Sequence, residues 1–247
     1  MERRVWPQDI ETVLFDFDGT LVHHEPDSFD LVRAFCADIG QPLSAEAERL
    51  GRRERHRFFV EPAILRELRA GSRDQFWLLF NRYLVQAIGI EGELDQLATA
   101  LSARFVDMRW QHFCQPQDRR TLVELRRRGY RLGLITNRDH VAGFAELLQR
   151  VDLASHFDLI LASGEVGVRK PEPGIFDAAL ERLGASAQRS IYVGDNYWAD
   201  VLGAQRAGIT PVLLDPDHIF PEAECLVLEH LPKLLDWLPE QGGLQRM

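Results

Sequence analysis

The chain has 247 residues, 45% of them hydrophobic, and a formal net charge of −9. This length and composition suffice for one sizeable core, or for a core plus a smaller appended domain, so the fold needs no disulfide staples. The acidic balance argues against nonspecific nucleic-acid binding, which requires a surplus of Lys and Arg.

Cysteine usage and hydropathy indicate the compartment. Cys36, Cys114 and Cys225 are widely spaced and form no Cys-x-x-Cys pair, which argues against a zinc ribbon and fits a reducing environment. No apolar stretch near the N-terminus has the length of a signal peptide, and no later segment has the length of a membrane span. We therefore expect a cytoplasmic protein that binds neither membranes nor nucleic acid.

The first predicted element is a strand over residues 12–15, and two carboxylates follow it. β-Branched and aromatic residues fill this stretch, and Gly19 marks the turn at which the backbone leaves the sheet. Asp16 and Asp18 therefore come at the carboxyl end of a strand, where open α/β sheets bind ligands. An aspartate beside a second acid is the arrangement needed for covalent phosphoryl transfer. A calcium loop of the EF-hand type is disfavoured, because Asp27 stands where the closing glutamate is required.

Residues 22–113 are predicted to form a helical insertion. Their apolar residues recur at three- and four-residue spacing, as on one face of a helix. The predicted helices cover 29–38, 45–58, 75–88 and 94–106. We expect this segment to form an α-helical cap domain, while residues 1–21 and 114–247 together form the core domain.

From residue 116 onward the chain alternates helix and strand. The strands predicted after the insertion cover 132–135, 159–161, 191–193, 211–214 and 225–228. The helices predicted around them cover 122–128, 141–149, 175–183, 198–207 and 232–238. This alternation indicates right-handed βαβ units on a parallel sheet. The predicted fold class is therefore α/β, a Rossmann-like doubly wound parallel sheet with an inserted helical cap.

Further polar groups follow other strand ends or lie in adjoining loops. Thr136 and Asn137 follow the second predicted strand of the sheet, and their hydroxyl and amide could bind a phosphoryl group, although the pair is also typical of a helix cap. Lys170 lies in a Pro-bounded loop and could neutralise charge there, although most lysines are solvated. Only two lysines occur in the chain, which favours a need for a compact point charge at Lys170.

Asp195 and Asp200 suggest a metal site at the end of the strand predicted over 191–193. Mg²⁺ prefers hard oxygen ligands and commonly uses one or two carboxylates plus substrate phosphate, so Asp16 and Asp195 are its candidate ligands. Asp200 is expected to hold a metal-bound water or Lys170. Alternatively, Asp200 complements the dipole in the first turn of the next helix.

The ordered set of these motifs resembles that of the haloacid dehalogenase-like hydrolases, in the branch with a helical cap inserted after the first motif. The motifs are Asp16-x-Asp18-Gly19-Thr20, Thr136-Asn137, Lys170-Pro171 and Gly194-Asp195-x4-Asp200. The resemblance covers nearly the whole chain. It implies a Mg²⁺-dependent phosphatase that acts on a small phosphorylated metabolite through an aspartyl-phosphate.

The resemblance also implies a role for each site residue. Asp16 would attack phosphorus, while Asp18 would protonate the leaving alcohol and later deprotonate the hydrolytic water. The groups implied to hold the transferring phosphoryl group are Thr136, Asn137 and Lys170. The ligands implied for Mg²⁺ are the Asp16 carboxylate, the Asp18 main-chain carbonyl and Asp195, with Asp200 behind them.

Two features narrow the activity within this resemblance. Dehalogenases carry a different residue where Asp18 stands, because the expulsion of halide needs no proton. Phosphonatases use a cap lysine, and residues 22–113 contain none. A phosphomutase remains an alternative, because the motifs do not report whether water or a sugar hydroxyl accepts the phosphoryl group. A noncatalytic interaction protein on the same scaffold is a further alternative.

Two groups in the insertion have two interpretations each. His23 and His24 either face the substrate at the hinge between core and cap or lie in a flexible surface turn. A run of arginines indicates a solvated helix face, since charges alternate there. Alternatively, one of these arginines closes over an anionic substrate. The run consists of Arg49, Arg52, Arg53, Arg55 and Arg57.

Overall fold

The structure is a computed structural model that describes residues 7, 9–61, 64, 73–139 and 141–241. Its strands are β1 (Thr12–Phe15), β2 (His23–Glu25), β3 (Gln111–Phe113), β4 (Arg131–Thr136), β5 (Leu159–Ala162), β6 (Ser190–Gly194), β7 (Thr210–Leu214) and β8 (Leu226–Leu228). Its α-helices are α1 (Ser28–Asp38), α2 (Ala45–Phe58), α3 (Arg73–Ala87), α4 (Leu94–Asp107), α5 (Pro116–Arg127), α6 (Val141–Arg150), α7 (Ser163–Val166), α8 (Pro173–Leu183) and α9 (Leu202–Arg206). A π-helical turn, Tyr197–Val201, precedes α9, and 3₁₀ turns cover Ala154–His156, Ala187–Arg189 and Leu231–Asp236.

Six parallel strands form the main sheet, in the order β5-β4-β1-β6-β7-β8. β1 is central, and its Phe15 lies opposite Leu134 of β4 and Val193 of β6. The chain extends the sheet on one side of β1 through β4 and β5, then on the other side from β6 to β8. Such a reversal of strand order opens a crevice at the carboxyl ends of the central strands. The predicted α/β fold, a doubly wound parallel sheet, is confirmed.

Each face of the sheet has its own apolar core. Along β1, Val13 and Phe15 belong to one buried cluster and Leu14 belongs to the other, as the twofold alternation of a strand requires. All three side chains are fully buried, which is typical of a strand with helices on both sides. Burial of a side chain of this size contributes about 1.5–3 kcal/mol, so β1 is firmly held where Asp16 begins.

Helices α1 to α4 share a separate apolar core, which includes Phe58. This ring is fully buried, and its centroid lies 5.0 Å from that of Phe80. The first two helices begin at side-chain caps, since Asp27 Oδ1 accepts from the Phe29 backbone N–H at 2.7 Å and Ser44 caps α2 in the same way. Such caps satisfy backbone donors that the first helical turn leaves unpaired.

The described residues divide into two compact units, with chain crossings between His23 and His24 and between Gln111 and His112. One unit contains the parallel sheet, and the other contains α1 to α4. The crossings lie in β2 and β3, which pair as a two-stranded sheet that the sequence did not predict. His23 and His24 therefore lie in a strand, and their interpretation as a flexible surface turn is wrong.

The arginine run of α2 is only partly a solvated face. Arg49 and Arg57 are exposed, as predicted. Arg52 is not, because its guanidinium lies 4.7 Å from the Phe29 ring centroid and pairs with Glu48 at 2.9 Å. Its charge is thus neutralised within the helical unit.

Three predicted helices differ from the observed elements by more than two residues or in the type of helix. The helix predicted over 122–128 begins earlier, at Pro116, whose fixed φ suits a first helical position. The helix predicted over 198–207 is divided into a π-helical turn and α9, and the one predicted over 232–238 is a 3₁₀ turn. Across the described ranges, no helix combines the length and apolarity that a membrane crossing requires.

Candidate active site

The ends of β1, β4 and β6 bring the predicted site residues to one edge of the sheet. Asp16 directly follows β1, Thr136 is the last residue of β4, and Asp195 directly follows β6. Because these strands are parallel, adjacent and in register, their carboxyl ends meet. The backbone N–H of Asp16 also donates to the Val193 carbonyl at 2.9 Å, which extends the ladder to the carboxylate itself.

Two glycines allow the loops to approach one another this closely. Gly19 has a φ of +84°, and a Cβ there would lie 2.1 Å from Asp195 Oδ2. A Cβ on Gly194 would lie 2.4 Å from the Asp200 Cγ. Both contacts are far below van der Waals distance, so a side chain at either glycine would displace a site carboxylate. Thr20 completes the contact between the loops by donating to Asp195 Oδ1 at 3.2 Å.

The buried Lys170 links the end of β1, the strand β6 and the π-helical turn. The Lys170 Nζ donates to Asp16 Oδ1 at 2.5 Å, to Asp200 Oδ1 at 2.7 Å and to the Tyr192 hydroxyl at 2.9 Å. An ammonium has three N–H groups, so these acceptors use all of them. The Lys170 side chain is 3% exposed. Lys170 therefore holds Asp16 and Asp200 in the structure.

The electrostatics of this cluster are set by burial and by crowded acids. Burial raises the pKa of Asp16, and the charges of Asp200 and Asp195 add to that rise against the opposing effect of Lys170. Burial opposes the charge of Lys170, but the carboxylates of Asp16 and Asp200 outweigh it and raise its pKa. Burial also raises the pKa of Tyr192, so its hydroxyl keeps its proton and donates to the Ile135 carbonyl at 3.3 Å.

Asn137 is committed to the backbone beside Lys170. Its Nδ2 donates to the Lys170 carbonyl at 2.9 Å, and its Oδ1 accepts from the Lys170 backbone N–H at 2.8 Å. These two bonds fix the lysine loop to the end of β4, so the carboxamide positions that loop. Thr136 beside it is 1% exposed.

A divalent cation fits the oxygens at this edge. Among the described residues, Asp16, Asp195 and Asp200 each offer a carboxylate oxygen, all within 4.8 Å of one another. Asp200 is the least suited of the three, because Oδ1 accepts from Lys170 and Oδ2 accepts from the Asn196 backbone N–H at 2.9 Å. The donor set that remains around Asp16 and Asp195 consists of hard oxygens, which Mg²⁺ prefers.

Asp18 is the exposed acid of the site, and an arginine holds it. Arg138 Nε donates to Asp18 Oδ2 at 2.8 Å, and its Nη2 donates to Oδ1 at 2.5 Å. The Asp18 side chain is 50% exposed and that of Arg138 is 31% exposed. The two carboxylates of the first motif thus differ in environment, since Asp16 is buried on a lysine and Asp18 faces solvent.

Tyr192 and Arg138 are the two site residues that the sequence analysis missed. Tyr192 had a weak signal, because its hydroxyl is a polar group that stands between the apolar Ile191 and Val193 in a buried strand. Arg138 had a stronger one, since it directly follows Thr136 and Asn137 at a strand end. Tyr192 bonds to Lys170 and Arg138 bonds to Asp18, and both of these partners are distant in sequence.

Comparison with known proteins gives a consistent result. A family profile described as haloacid dehalogenase-like hydrolase matches residues 10–208. The chain is 32% identical over 218 residues to ribulose-1,5-bisphosphate 5-phosphatase of Halopiger xanaduensis, an alignment that covers 83% of this chain and 84% of the relative. It is 30% identical over 230 residues to phosphoserine phosphatase of Thermus thermophilus, with 83% and 89% covered. The magnesium-bound HAD hydrolase YfnB of Bacillus subtilis has the same fold, with a TM-score of 0.59 at 21% identity and coverage of 94% and 99%.

Replacement of Tyr192 by Phe should lower the free energy of unfolding by about 1–3 kcal/mol, because it leaves a buried N–H of Lys170 and the Ile135 carbonyl without a partner. Urea denaturation measures the change. The control is Tyr130→Phe, since the buried Tyr130 hydroxyl donates to the neutral Pro239 carbonyl at 2.8 Å. A loss for Tyr192→Phe no larger than for the control would contradict the role of the hydroxyl in holding a charge.

Saturation with Mg²⁺ should raise the unfolding temperature by about 5–10 °C at roughly 100 times Kd, because the cation binds the crowded acids only in the folded state. Differential scanning calorimetry with and without the ion tests this. Asp195→Asn should abolish the increment, whereas Asp177→Asn, on the exposed face of α8, should preserve it. An increment that survives in Asp195→Asn would place the cation elsewhere.

Proposed function

The chain belongs to the haloacid dehalogenase-like hydrolases, and on that premise we propose that it is a Mg²⁺-dependent phosphatase that hydrolyses a small phosphorylated metabolite. The observation that carries the proposal is the division between two carboxylates: Asp16 is buried against Lys170, and Asp18, two residues later, is half exposed. One acid is thereby suited to attack and the other to exchange protons. The relatives from Halopiger and Thermus, both named as phosphatases, support the assignment.

Asp16 is the nucleophile of the first step. One of its oxygens forms a bond to phosphorus while the bond from phosphorus to the ester oxygen breaks. Asp18 transfers its proton to that departing oxygen, since an alkoxide is a poor leaving group unless it is protonated. Lys170 holds the Asp16 carboxylate through Oδ1, which leaves the other oxygen for attack. The products are an aspartyl-phosphate on Asp16 and a free alcohol.

Water completes the cycle. Asp18, now ionised, accepts a proton from a water molecule whose oxygen bonds to phosphorus as the bond to Asp16 breaks. Inorganic phosphate leaves, and Asp16 is regenerated. The Thr136 hydroxyl, at the end of β4, contributes a donor to the phosphoryl oxygens. Asp16, Asp195 and the Asp18 main-chain carbonyl would hold Mg²⁺, which would neutralise charge on the carboxylates and the transferring group.

The helical insertion is the cap of this enzyme. We assign it residues 22–113, between core segments 1–21 and 114–247, and it selects the substrate. The partner is the phosphorylated metabolite, and the net charge of −9 supports the exclusion of nucleic acid. The reduced cysteines Cys36, Cys114 and Cys225 support a cytoplasmic location.

Asp16→Asn should reduce turnover of p-nitrophenyl phosphate at least about 10³-fold, because an amide cannot form the covalent intermediate. Release of inorganic phosphate is the measurement. A mutase would instead form an isomer from a sugar phosphate without net release of phosphate. Asp177→Asn serves as the control for an aspartate outside the site. A folded, Mg²⁺-loaded Asp16→Asn protein with nearly unchanged turnover would refute the proposed mechanism.

Asp18→Asn should affect substrates according to their leaving groups. For glycerol phosphate, whose alkoxide requires a proton, we expect kcat/KM to fall about 10²–10⁴-fold. For p-nitrophenyl phosphate, whose phenolate departs unprotonated, the fall should be at least about tenfold smaller. The ratio of kcat/KM reports the steps up to release of the alcohol. Equal losses on the two substrates would show that Asp18 does not act as the acid.

A further inference from the structure

Arg138 is a second cation at the same edge of the sheet, and it differs from Lys170 in almost every respect. Its side chain is 31% exposed, whereas that of Lys170 is 3% exposed. Its guanidinium lies 5.5 Å from the Phe17 ring centroid, which supports the group from one face. Among the described residues its Nη1 donates to no acceptor, so one edge of the guanidinium is available.

A substrate phosphate adds negative charge to a site that already has an excess of it. Four carboxylates, those of Asp16, Asp18, Asp195 and Asp200, face two cations, and Lys170 has no N–H left to offer. Arg138 still has N–H groups to offer, and the charge of Asp16 reaches it, since that charge adds to the rise in the pKa of Arg138. Burial lowers the pKa of Arg138, and the hydrogen bond to Asp18 is the main cause that raises it.

The pair between Arg138 and Asp18 must also open during the reaction. Both oxygens of Asp18 accept from the guanidinium at 2.8 and 2.5 Å. A carboxyl that passes a proton to the leaving group needs an oxygen directed at that group. The pair is open to solvent, since the Arg138 side chain is 31% exposed and that of Asp18 is 50% exposed, so an incoming anion can reach the guanidinium and compete for it.

We propose that Arg138 binds an anionic oxygen of the substrate and gives up its pair with Asp18 to do so. The inference rests on the proposed phosphatase function. Arg138 is thus a substrate-binding residue whose change of partner frees Asp18 as the substrate arrives. The anion is either the phosphoryl group itself or a second acidic group on the same metabolite, and both are recognised by the planar fork of a guanidinium.

A double-mutant cycle on the binding of inorganic phosphate tests the exchange. Isothermal titration calorimetry with saturating Mg²⁺ gives Kd for the wild type, Arg138→Met, Asp18→Asn and the double variant. Arg138→Met should weaken binding about tenfold, because it removes a charge-assisted hydrogen bond. Asp18→Asn should tighten binding by up to about fivefold by releasing Arg138. In the Arg138→Met background this tightening should vanish.

The remaining outcomes each count against the proposal. Equal tightening by Asp18→Asn in both backgrounds would mean simple repulsion between Asp18 and the anion, with no exchange of partners. Unchanged Kd in Arg138→Met would overturn the proposal for the phosphoryl group. In that event, KM of Arg138→Met is compared on 3-phosphoglycerate, which has a second acidic group, and on p-nitrophenyl phosphate, which has none. A KM unchanged on both substrates would also overturn the proposal for a second acidic group. A rise in KM confined to 3-phosphoglycerate would support binding of that second group.

The matched control is Arg126→Met. Arg126 pairs with Asp158 at 3.0 Å with similar exposure, near the start of β4 and thus at the opposite end of the sheet. It should leave Kd for phosphate unchanged, and thermal unfolding of all variants verifies that they fold. Because the cycle measures binding, a protein that binds phosphate as described but turns over no ester would refute the phosphatase function while leaving the role of Arg138 intact.

Discussion

The site depends on one buried ammonium. Lys170 donates to Asp16, Asp200 and Tyr192, and these residues come from the end of β1, the π-helical turn and the middle of β6. Removal of a charge from water costs several kcal/mol unless it is paired and fully hydrogen-bonded. The partners of Lys170 must therefore stay in place for the fold to tolerate it. Asn137 bonds to both the carbonyl and the backbone N–H of Lys170, and these bonds hold the lysine loop in place.

The two cations of the site are suited to opposite tasks. Lys170 is buried and its three N–H groups are all bonded to acceptors, so it fixes the orientation of Asp16. Arg138 is partly solvated and its partner Asp18 is half exposed, so an anion from solvent can reach the pair, and we propose that it replaces Asp18 there. Under our proposal, Asp16 stays positioned by Lys170 while Asp18 is released from Arg138 as the substrate binds.

The sequence predicted the sheet well because its signals are local. The run before Asp16 is apolar and β-branched, and each later strand is followed by a polar residue at the edge where parallel strands end. The predicted bounds of α2 agree with the structure, residues 45–58. The pair β2 and β3 escaped prediction because each strand has three residues and its partner is almost ninety positions away. Arg52 escaped as well, since alternating charge does not reveal which arginine packs on an aromatic ring.

The sequence by itself determined which chemical groups are present. It placed Asp16, Asp18, Thr136 and Asp195 at strand ends and Lys170 in an adjoining loop. It determined this because strand periodicity and turn residues are properties of neighbouring positions. Only the tertiary structure decided how those groups divide the work. The tertiary contacts decide which acid is buried, which cation keeps unbonded N–H groups and which tyrosine accepts the third hydrogen bond of the ammonium. These contacts join residues that are 22 to 154 positions apart in the chain. No local pattern encodes such contacts.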